Sequence, residues 1–342
     1  MDIKQLERLC LAFGVSGEED EVREALKKEI TADAVYTDKA GNLIAVKKSK
    51  NEHAPTLLLD AHMDSVGLCV KEVGERGFLR VASVGGMDAK ILPNTLVEIG
   101  KEHIPGVVAS KPPHLMDKKD AENVVSLSML WVDTGDNAES IRVGDRIRYA
   151  PRFAEMLSAV SGTYLDNRVG CGLILETFKR LQDVELPFNL TAVFSTGEEM
   201  GLKGAKYGAV QGDMAIVLDV TFGKTPDETS DEALDCTKGV AIGVGPNMHK
   251  AISKGLLDRA EKNGIMYQTE VLEGCSGTNA WMYQVQNLGI PCGLLSVPIR
   301  YMHTPVETMF INDFESTADL LFAYITNLSA DEIRAVSEVE VC

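Results

Sequence analysis

The sequence predicts an α/β protein with a mostly parallel sheet, covered by helices on both faces and interrupted by a small β-barrel. In residues 1–65 and 153–342, apolar strands alternate with helical segments, as is typical of a parallel sheet between helices. Between residues 66 and 152, the segments are short, rich in β-formers and separated by glycine, proline and asparagine. This texture indicates a barrel of short strands inserted into the α/β domain.

The first 30 residues predict two helices, because apolar residues recur every three or four positions. Ser16 and Glu19 have the spacing of a capping box, so we expect the second helix to begin there. Two apolar strands follow at residues 43–46 and 56–60. The second is apolar on both faces, as in a strand at the centre of a sheet.

The α/β rhythm returns after the predicted barrel. Helices are predicted at residues 166–181, 250–263, 279–286 and 313–328, and strands at 189–195, 214–220, 240–246 and 293–297. Strands that alternate with helices in this way usually lie parallel, with the helices crossing over the sheet.

The composition excludes several classes of function. The formal net charge is -17, so the surface repels nucleic acid and anionic membranes, and we expect neither as a partner. No run approaches the roughly 18 apolar residues of a membrane span, and the first ten residues lack the apolar centre of a signal peptide. The cysteines are odd in number and form no CxxC motif. These features favour reduced thiols and a cytoplasmic location.

Residues of the types that bind metals stand where predicted strands end. They are His62 and Asp64 after the strand at 56–60, Glu198 and Glu199 after 191–194, Asp219 after 215–218, and His303 after 293–297. Asp166 opens a predicted helix and could reach the same edge. Because ligands bind at the carboxyl ends of strands in an open α/β sheet, we expect these side chains to lie together.

This set contains two imidazoles and several carboxylates but no thiolate, which suits zinc, cobalt or manganese better than calcium. Two metal ions need a bridging carboxylate, and the set can supply one. Asp64 follows His62 closely and could accept its second N–H. Of the adjacent Glu198 and Glu199, one could bind metal while the other stays free as a general base.

Each pattern has a simpler explanation when taken alone. A single histidine after a strand is more often structural, paired glutamates usually mark a solvated face, and an aspartate at a strand end often caps a helix. Metal-type residues at four strand ends together are hard to attribute to chance.

His114 follows two prolines that fix the chain, so it could serve a pocket or an interface. The sequence contains neither a GxSxG nor a GxxxxGK[ST] motif.

The chain resembles the glutamyl and tetrahedral aminopeptidase family of co-catalytic metallopeptidases, some of which carry the name cellulase M. The resemblance spans nearly the whole chain, and its motifs occur in family order: DAHMDSVG, KPPHLM, VGDRIRY, LDNRVGCG, STGEEMGLKGA, LDVT, SGTNA and MHTPVE. It implies that the inserted barrel is PDZ-like. It also implies homo-oligomers, from dimers to hollow dodecamers, that act on short peptides.

The resemblance further implies a role for each residue at the strand ends. His62 and Asp219 would bind one metal ion, Glu199 and His303 the other, with Asp166 bridging the two, Glu198 acting as general base, and Asp64 orienting His62. The implied activity is hydrolysis of the N-terminal peptide bond, with two zinc, cobalt or manganese ions per chain.

Two departures from the family pattern concern charge. Asn279 stands where the family usually has an aspartate, so we expect a lower negative charge near the substrate, and Asn167 replaces a common aspartate beside the bridging ligand. Arg300 or Lys250 could recognise an acidic substrate residue. We therefore treat Asn279, Arg300 and His114 as candidate substrate contacts.

Two other functions remain open at this point. The same metal centre could serve a deacylase of N-acylated amino acids or amino sugars, and the chain could be a non-catalytic assembly protein. A glycosidase is disfavoured, because it needs two metal-free carboxylates and those of this chain are committed to metal.

Overall fold

In the computed structural model, eleven strands pair into one mixed sheet and further strands close into a separate barrel. The structure describes residues 1–115, 125–135, 137–208, 211–226, 228, 232–286 and 289–338. Elements are numbered along the chain. The strands of the sheet are β1 (Ala34–Thr37), β2 (Leu43–Lys47), β3 (Thr56–His62), β10 (Phe153–Glu155), β11 (Ala159–Gly162), β12 (Asn189–Ser195), β13 (Met214–Phe222), β14 (Val240–Val244), β15 (Tyr267–Val271), β16 (Cys292–Arg300) and β17 (Glu307–Phe310).

The barrel and the helices complete the described elements. The barrel strands are β4 (Gly67–Val73), β5 (Phe78–Val84), β6 (Leu96–Ile99), β7 (Ile104–Ala109), β8 (Trp131–Asp133) and β9 (Arg146–Tyr149). The helices are α1 (Ile3–Leu11), α2 (Asp20–Glu29), α3 (Leu165–Arg180), α4 (Lys203–Tyr207), α5 (Lys250–Asn263), α6 (Asn279–Val285), α7 (Ile311–Thr326) and α8 (Ala330–Ser337). No helix within these described ranges is long and apolar enough to cross a membrane.

The sheet is mixed, whereas the sequence predicts a mostly parallel one. Its order is β1-β2-β12-β3-β13-β16-β17-β11-β10, and β14 lies beside β16 with β15 at its outer side. The four central strands, β12, β3, β13 and β16, are parallel, but the flanking strands pair antiparallel with their neighbours, apart from β15. Short turns join β1 to β2 and β10 to β11, and a short turn permits only antiparallel pairing.

The sheet separates two unequal apolar clusters. In β3, Leu57 and Leu59 belong to the larger cluster, which also contains side chains of α1, α2, α3, α5 and α7. Leu58, between them, belongs to a smaller cluster with Ala205 of α4 and Tyr283 of α6. All three leucines are fully buried. The apolar character of β3 on both sides, noted in the sequence, therefore follows from its central position.

Both predicted N-terminal helices are present, but the predicted capping box is wrong. Helix α2 begins at Asp20, and its N-cap residue, Glu19, makes no side-chain capping bond. Ser16 instead donates its hydroxyl hydrogen to the carboxylate of Asp64, 2.5 Å away. A hydrogen bond to an ionised carboxylate is stronger than one between the Ser16 hydroxyl and a backbone N–H group. The hydroxyl therefore bonds Asp64 and does not cap α2.

The barrel has its own core and is anchored to α1 by a buried arginine. Leu68, Val132 and Ile147 belong to a cluster separate from those of the sheet. Arg148 is 4% exposed; it donates to Glu98 Oε2 at 2.7 Å and to the carbonyl oxygen of Leu11 at 2.7 Å. All barrel strands lie between residues 66 and 152, and these boundaries stay a prediction.

We expect Arg148→Ala to destabilise the protein by about 2–3 kcal/mol, because it leaves the Glu98 carboxylate and the Leu11 carbonyl without their charged donor. The measurement is the urea midpoint of unfolding. Arg142→Ala is the control, since Arg142 is exposed and its loss should change stability by no more than about 0.5 kcal/mol. Equal midpoints for the two variants would contradict the prediction.

Candidate metal centre

The predicted ligands form two clusters near the carboxyl ends of the central parallel strands. Asp219 lies inside β13, which continues to Phe222, and not after the end of the strand as the sequence predicts. One contains His62, Asp166 and Asp219, and the other contains Asp166, Glu199 and His303. Within each cluster the potential ligand atoms all lie within 4.8 Å of one another. Asp166 belongs to both clusters, so a single carboxylate could serve two ions.

The first cluster centres on the Nε2 atom of His62. This atom lies 3.1 Å from Asp166 Oδ1 and 3.7 Å from Asp219 Oδ1. On the opposite side of the ring, Nδ1 lies 3.2 Å from the backbone carbonyl oxygen of Asp64 and 3.5 Å from its carboxylate. A histidine that holds a metal usually gives its other ring N–H to such an acceptor. Here the backbone oxygen is the nearer one.

The second cluster centres on the Nε2 atom of His303. It lies 3.2 Å from Asp166 Oδ2 and 3.4 Å from Glu199 Oε1. The two oxygens of Asp166 therefore face different histidines. The Nδ1 atom of His303 lies 3.1 Å from the carbonyl oxygen of Gly86, which follows barrel strand β5. The barrel thus supplies the acceptor that can orient this imidazole.

The electrostatics of the two histidines indicate a need for positive charge. Burial lowers the pKa of His62, but Glu198 and Asp166 outweigh burial and raise it well above its ordinary value. Burial likewise opposes the positive charge on His303, yet Asp166 and Glu199 raise its pKa to about 11. The carboxylates therefore favour a cation in this position. A divalent ion could supply that charge, with both imidazoles then neutral.

The carboxylates show the complementary pattern. Glu199 Oε1 is buried and accepts no hydrogen bond of good geometry within the described part of the chain, although His303 Nε2 lies 3.4 Å from it. Burial raises the pKa values of Glu199 and Asp219. A buried acceptor without a partner costs free energy, and a bond to a metal ion would remove that cost. The donor set, with nitrogen and carboxylate oxygen and no sulfur, suits zinc, cobalt or manganese.

Asp64 connects the two turns that carry the site. Its fully buried carboxylate accepts from the backbone N–H groups of Glu198 at 3.0 Å and Glu199 at 3.2 Å, and from the hydroxyl of Ser16. It therefore fixes the Glu198–Glu199 turn as well as lying beside His62. The spacing of Ser16 predicts a helix cap and does not indicate its bond to Asp64, which lies 48 residues further along the chain.

Glu307 is a second residue that sequence reasoning missed. It is 1% exposed; its two oxygens accept from the backbone N–H of His303 at 2.7 Å and that of Asp166 at 3.0 Å. It thus holds the backbones of two candidate ligands together. The glutamate closing MHTPVE could have indicated it, because that motif also contains His303.

Asn279 lies beneath the strand ends and is 1% exposed. Its amide nitrogen donates to Asp60 Oδ1 and to Ser195 Oγ, both at 2.7 Å. Asp60, which the sequence did not single out, therefore places a carboxylate beside residue 279. The effect of Asn279 on substrate binding stays a prediction.

The other candidate substrate contacts have different surroundings. Arg300 donates to the carbonyl oxygen of Lys224 at 2.7 Å, and its guanidinium lies 5.2 Å from the ring centroid of Phe310. His114 is exposed in a 3₁₀ turn that ends where residues 116–124, outside the described part, begin. Lys250 is exposed at the start of α5. Contact of these residues with substrate stays a prediction.

Two histidine–carboxylate clusters that share one aspartate are an arrangement suited to hydrolysis assisted by two metal ions. A model of the M42 glutamyl aminopeptidase family matches residues 41–320. The chain is 33% identical to the lysyl aminopeptidase of Pyrococcus furiosus over an alignment of length 351, which covers 96% of this chain and 98% of that protein. It belongs to the M42 glutamyl aminopeptidase family and is a peptidase of that family.

Solved structures agree with this assignment. An aminopeptidase from the archaeon Desulfurococcus kamchatkensis superposes with a TM-score of 0.91 at 28% identity, covering 99% of this chain and 98% of that one. The TET1 peptidase of Pyrococcus horikoshii, described as assembling into a tetrahedron or a large octahedral shell, has a TM-score of 0.84 at 30% identity, with 95% and 99% coverage. The family resemblance noted in the sequence is thereby confirmed.

We expect zinc, cobalt or manganese to raise the melting temperature of the chelator-treated protein. At about 100 times the dissociation constant, binding contributes about 2.7 kcal/mol, or a rise of roughly 5 °C. Asp166→Asn should remove most of this rise, because both clusters share that carboxylate. Asp183→Asn, at an exposed position, is the matched control. A full metal-induced rise in Asp166→Asn would refute the shared site.

Proposed function

We propose that this chain is a metal-dependent aminopeptidase that hydrolyses the N-terminal bond of short peptides. The observation that carries the proposal is the position of Asp166, whose two oxygens face His62 and His303 separately. Asp219 would complete the first ligand set and Glu199 the second. Each chain would hold two divalent ions, zinc, cobalt or manganese. Family membership supports the reaction class.

When bound, the two ions would polarise the scissile carbonyl and lower the pKa of the attacking water. Glu198 is the proposed general base. It lies outside both ligand clusters, yet its Oε2 atom is 3.9 Å from His62 Nε2. Burial raises its pKa to about 9, and nearby positive charge would lower that pKa toward the working range of a base.

The proton path follows from this placement. Glu198 would accept the proton of the attacking water and then deliver it to the leaving amine. The backbone N–H of Glu198 donates to Asp64, and this bond would help to hold the Glu198 carboxylate beside the attacking water. Asp64 would also orient His62, through its backbone carbonyl oxygen at 3.2 Å and its carboxylate at 3.5 Å, so one residue would support both the ligand and the base.

Glu198→Gln should reduce kcat by about 10²–10⁴-fold, because glutamine keeps the shape but cannot accept the proton. The assay is release of N-terminal residues from short peptides with Zn²⁺, Co²⁺ or Mn²⁺ after chelator treatment. Metal content of the variant should equal that of the wild type. Glu185→Gln, which changes an exposed glutamate, should retain full activity.

The substrate panel distinguishes the remaining functions. Each peptide is supplied with a free and with an acetylated N-terminus. Cleavage of free termini supports the aminopeptidase and ranks the preferred residue. Cleavage of acylated compounds alone would replace the proposal by the deacylase. Two bound metal ions without turnover of any compound would contradict the proposed substrate class and point to Asn279 and a substrate outside the panel.

We also propose that the chain forms homo-oligomers in the cytoplasm. The assembly of the Pyrococcus horikoshii relative into a tetrahedron or a large octahedral shell supports an assembly of many copies. The range from dimer to dodecamer is the one that the family resemblance implies. Free thiols at buried positions such as Cys10 and Cys171 are consistent with a reducing compartment. Light scattering on the purified chain should give a multiple of 37.1 kDa. A monomer at micromolar concentration would rule out the stable assembly.

A further inference from the structure

Asp60 is a buried carboxylate that the proposed reaction does not use. It lies two residues before His62 in β3, on the same face of the strand, and it is 0% exposed. Its Oδ1 atom accepts from the amide nitrogen of Asn279 at 2.7 Å, and its Oδ2 atom accepts from the hydroxyl of Tyr283 at 2.9 Å. A buried charge is tolerated only with such donors.

The partners of Asp60 come from separate parts of the chain. Asn279 and Tyr283 belong to α6, while Ser195 ends β12 and is 3.4 Å from Asp60 Oδ1. The second N–H of the Asn279 amide donates to Ser195 Oγ at 2.7 Å. The network therefore ties together the ends of two neighbouring strands and one helix.

Those two strand ends carry the metal centre. Ser195 stands opposite His62 in the parallel register of β12 and β3, and the turn with Glu198 and Glu199 begins directly after Ser195. A shift of β12 against β3 would change the distance between His62 and this turn. Asn279 bonds both Asp60 in β3 and Ser195 in β12, so it links the two strands at the point where such a shift would occur.

We propose that Asp60 and Asn279 form a positioning pair that holds His62 in register with the Glu198–Glu199 turn and so sets metal affinity. This proposal rests on the proposed metal centre. The carboxylate belongs to residue 60 and the amide to residue 279. One carboxylate and one amide are required, because two carboxylates at this distance repel and two amides lose the charge-assisted bond.

The test exchanges the two groups. Asp60→Asn and Asn279→Asp are made singly and together, and Zn²⁺ affinity is measured by competition with a chromophoric chelator in the absence of substrate. Each single variant should bind Zn²⁺ about 10–100-fold more weakly, the range expected when a support for a ligand is lost. The double variant should recover to within about threefold of wild type. Its kcat should recover in parallel, with KM changing less than kcat.

The matched control is Asp313→Asn. Asp313 is also fully buried, and it accepts from the backbone N–H groups of Thr237 and Gly239, both at 2.8 Å, but it lies outside both ligand clusters. This variant should lower the melting temperature and leave Zn²⁺ affinity unchanged. If Asp60→Asn behaves in the same way, or if the double variant binds no better than the weaker single one, the pair has no positioning role.

Two further outcomes keep the test decisive. If Asp60→Asn does not fold, Tyr283→Phe removes one donor while keeping the packed ring, and it should weaken Zn²⁺ binding several-fold; unchanged affinity would overturn the proposal. If wild type binds Zn²⁺ but cleaves no peptide, the proposed function fails while the affinity test of the pair still stands. If wild type cleaves peptides normally and Asp60→Asn binds Zn²⁺ as tightly as wild type, the positioning pair is refuted while the proposed function stands.

Discussion

The concentration of buried negative charge around His62 and His303 is the constraint on which the rest of the site depends. Asp166 places one carboxylate oxygen against each imidazole, and further carboxylates surround the pair. Charges of one sign cannot be buried together without compensation. The elevated pKa values of both histidines, and the buried Glu199 oxygen that accepts no hydrogen bond of good geometry in the described part of the chain, both follow from this imbalance. A pair of divalent ions would relieve both.

The surroundings of the site serve mainly to keep this charge in place. Asp64 holds the turn with Glu198 and Glu199, and Glu307 holds the backbones of Asp166 and His303. These supporting carboxylates accept from backbone N–H groups, so they fix the main chain rather than only a side chain. Such pre-organisation is what a reaction assisted by metal ions requires of a protein.

The barrel also contributes to the site. The carbonyl oxygen of Gly86 lies against His303, and the barrel in turn is anchored to α1 through Arg148. Because the inserted barrel contacts the candidate metal ligand His303, it can affect the geometry of the metal centre as well as substrate access or assembly. Displacing the barrel would therefore remove a partner of one histidine, because no hydrogen bond can persist across a shift of more than about 1 Å.

The sequence by itself determined the parts that depend on local pattern. Apolar strands running into His62, Glu198, Asp219 and His303 predicted both the α/β class and one shared edge, because parallel strand ends converge. Only the tertiary structure decided the mixed order of the sheet, the hydrogen bond from Ser16 to Asp64, and the pairing of Asp60 with Asn279. Each of these depends on contacts between residues far apart in the chain, such as the 219 positions between Asp60 and Asn279. Periodicity describes only near neighbours, so such partners become visible when the strands and helices have packed.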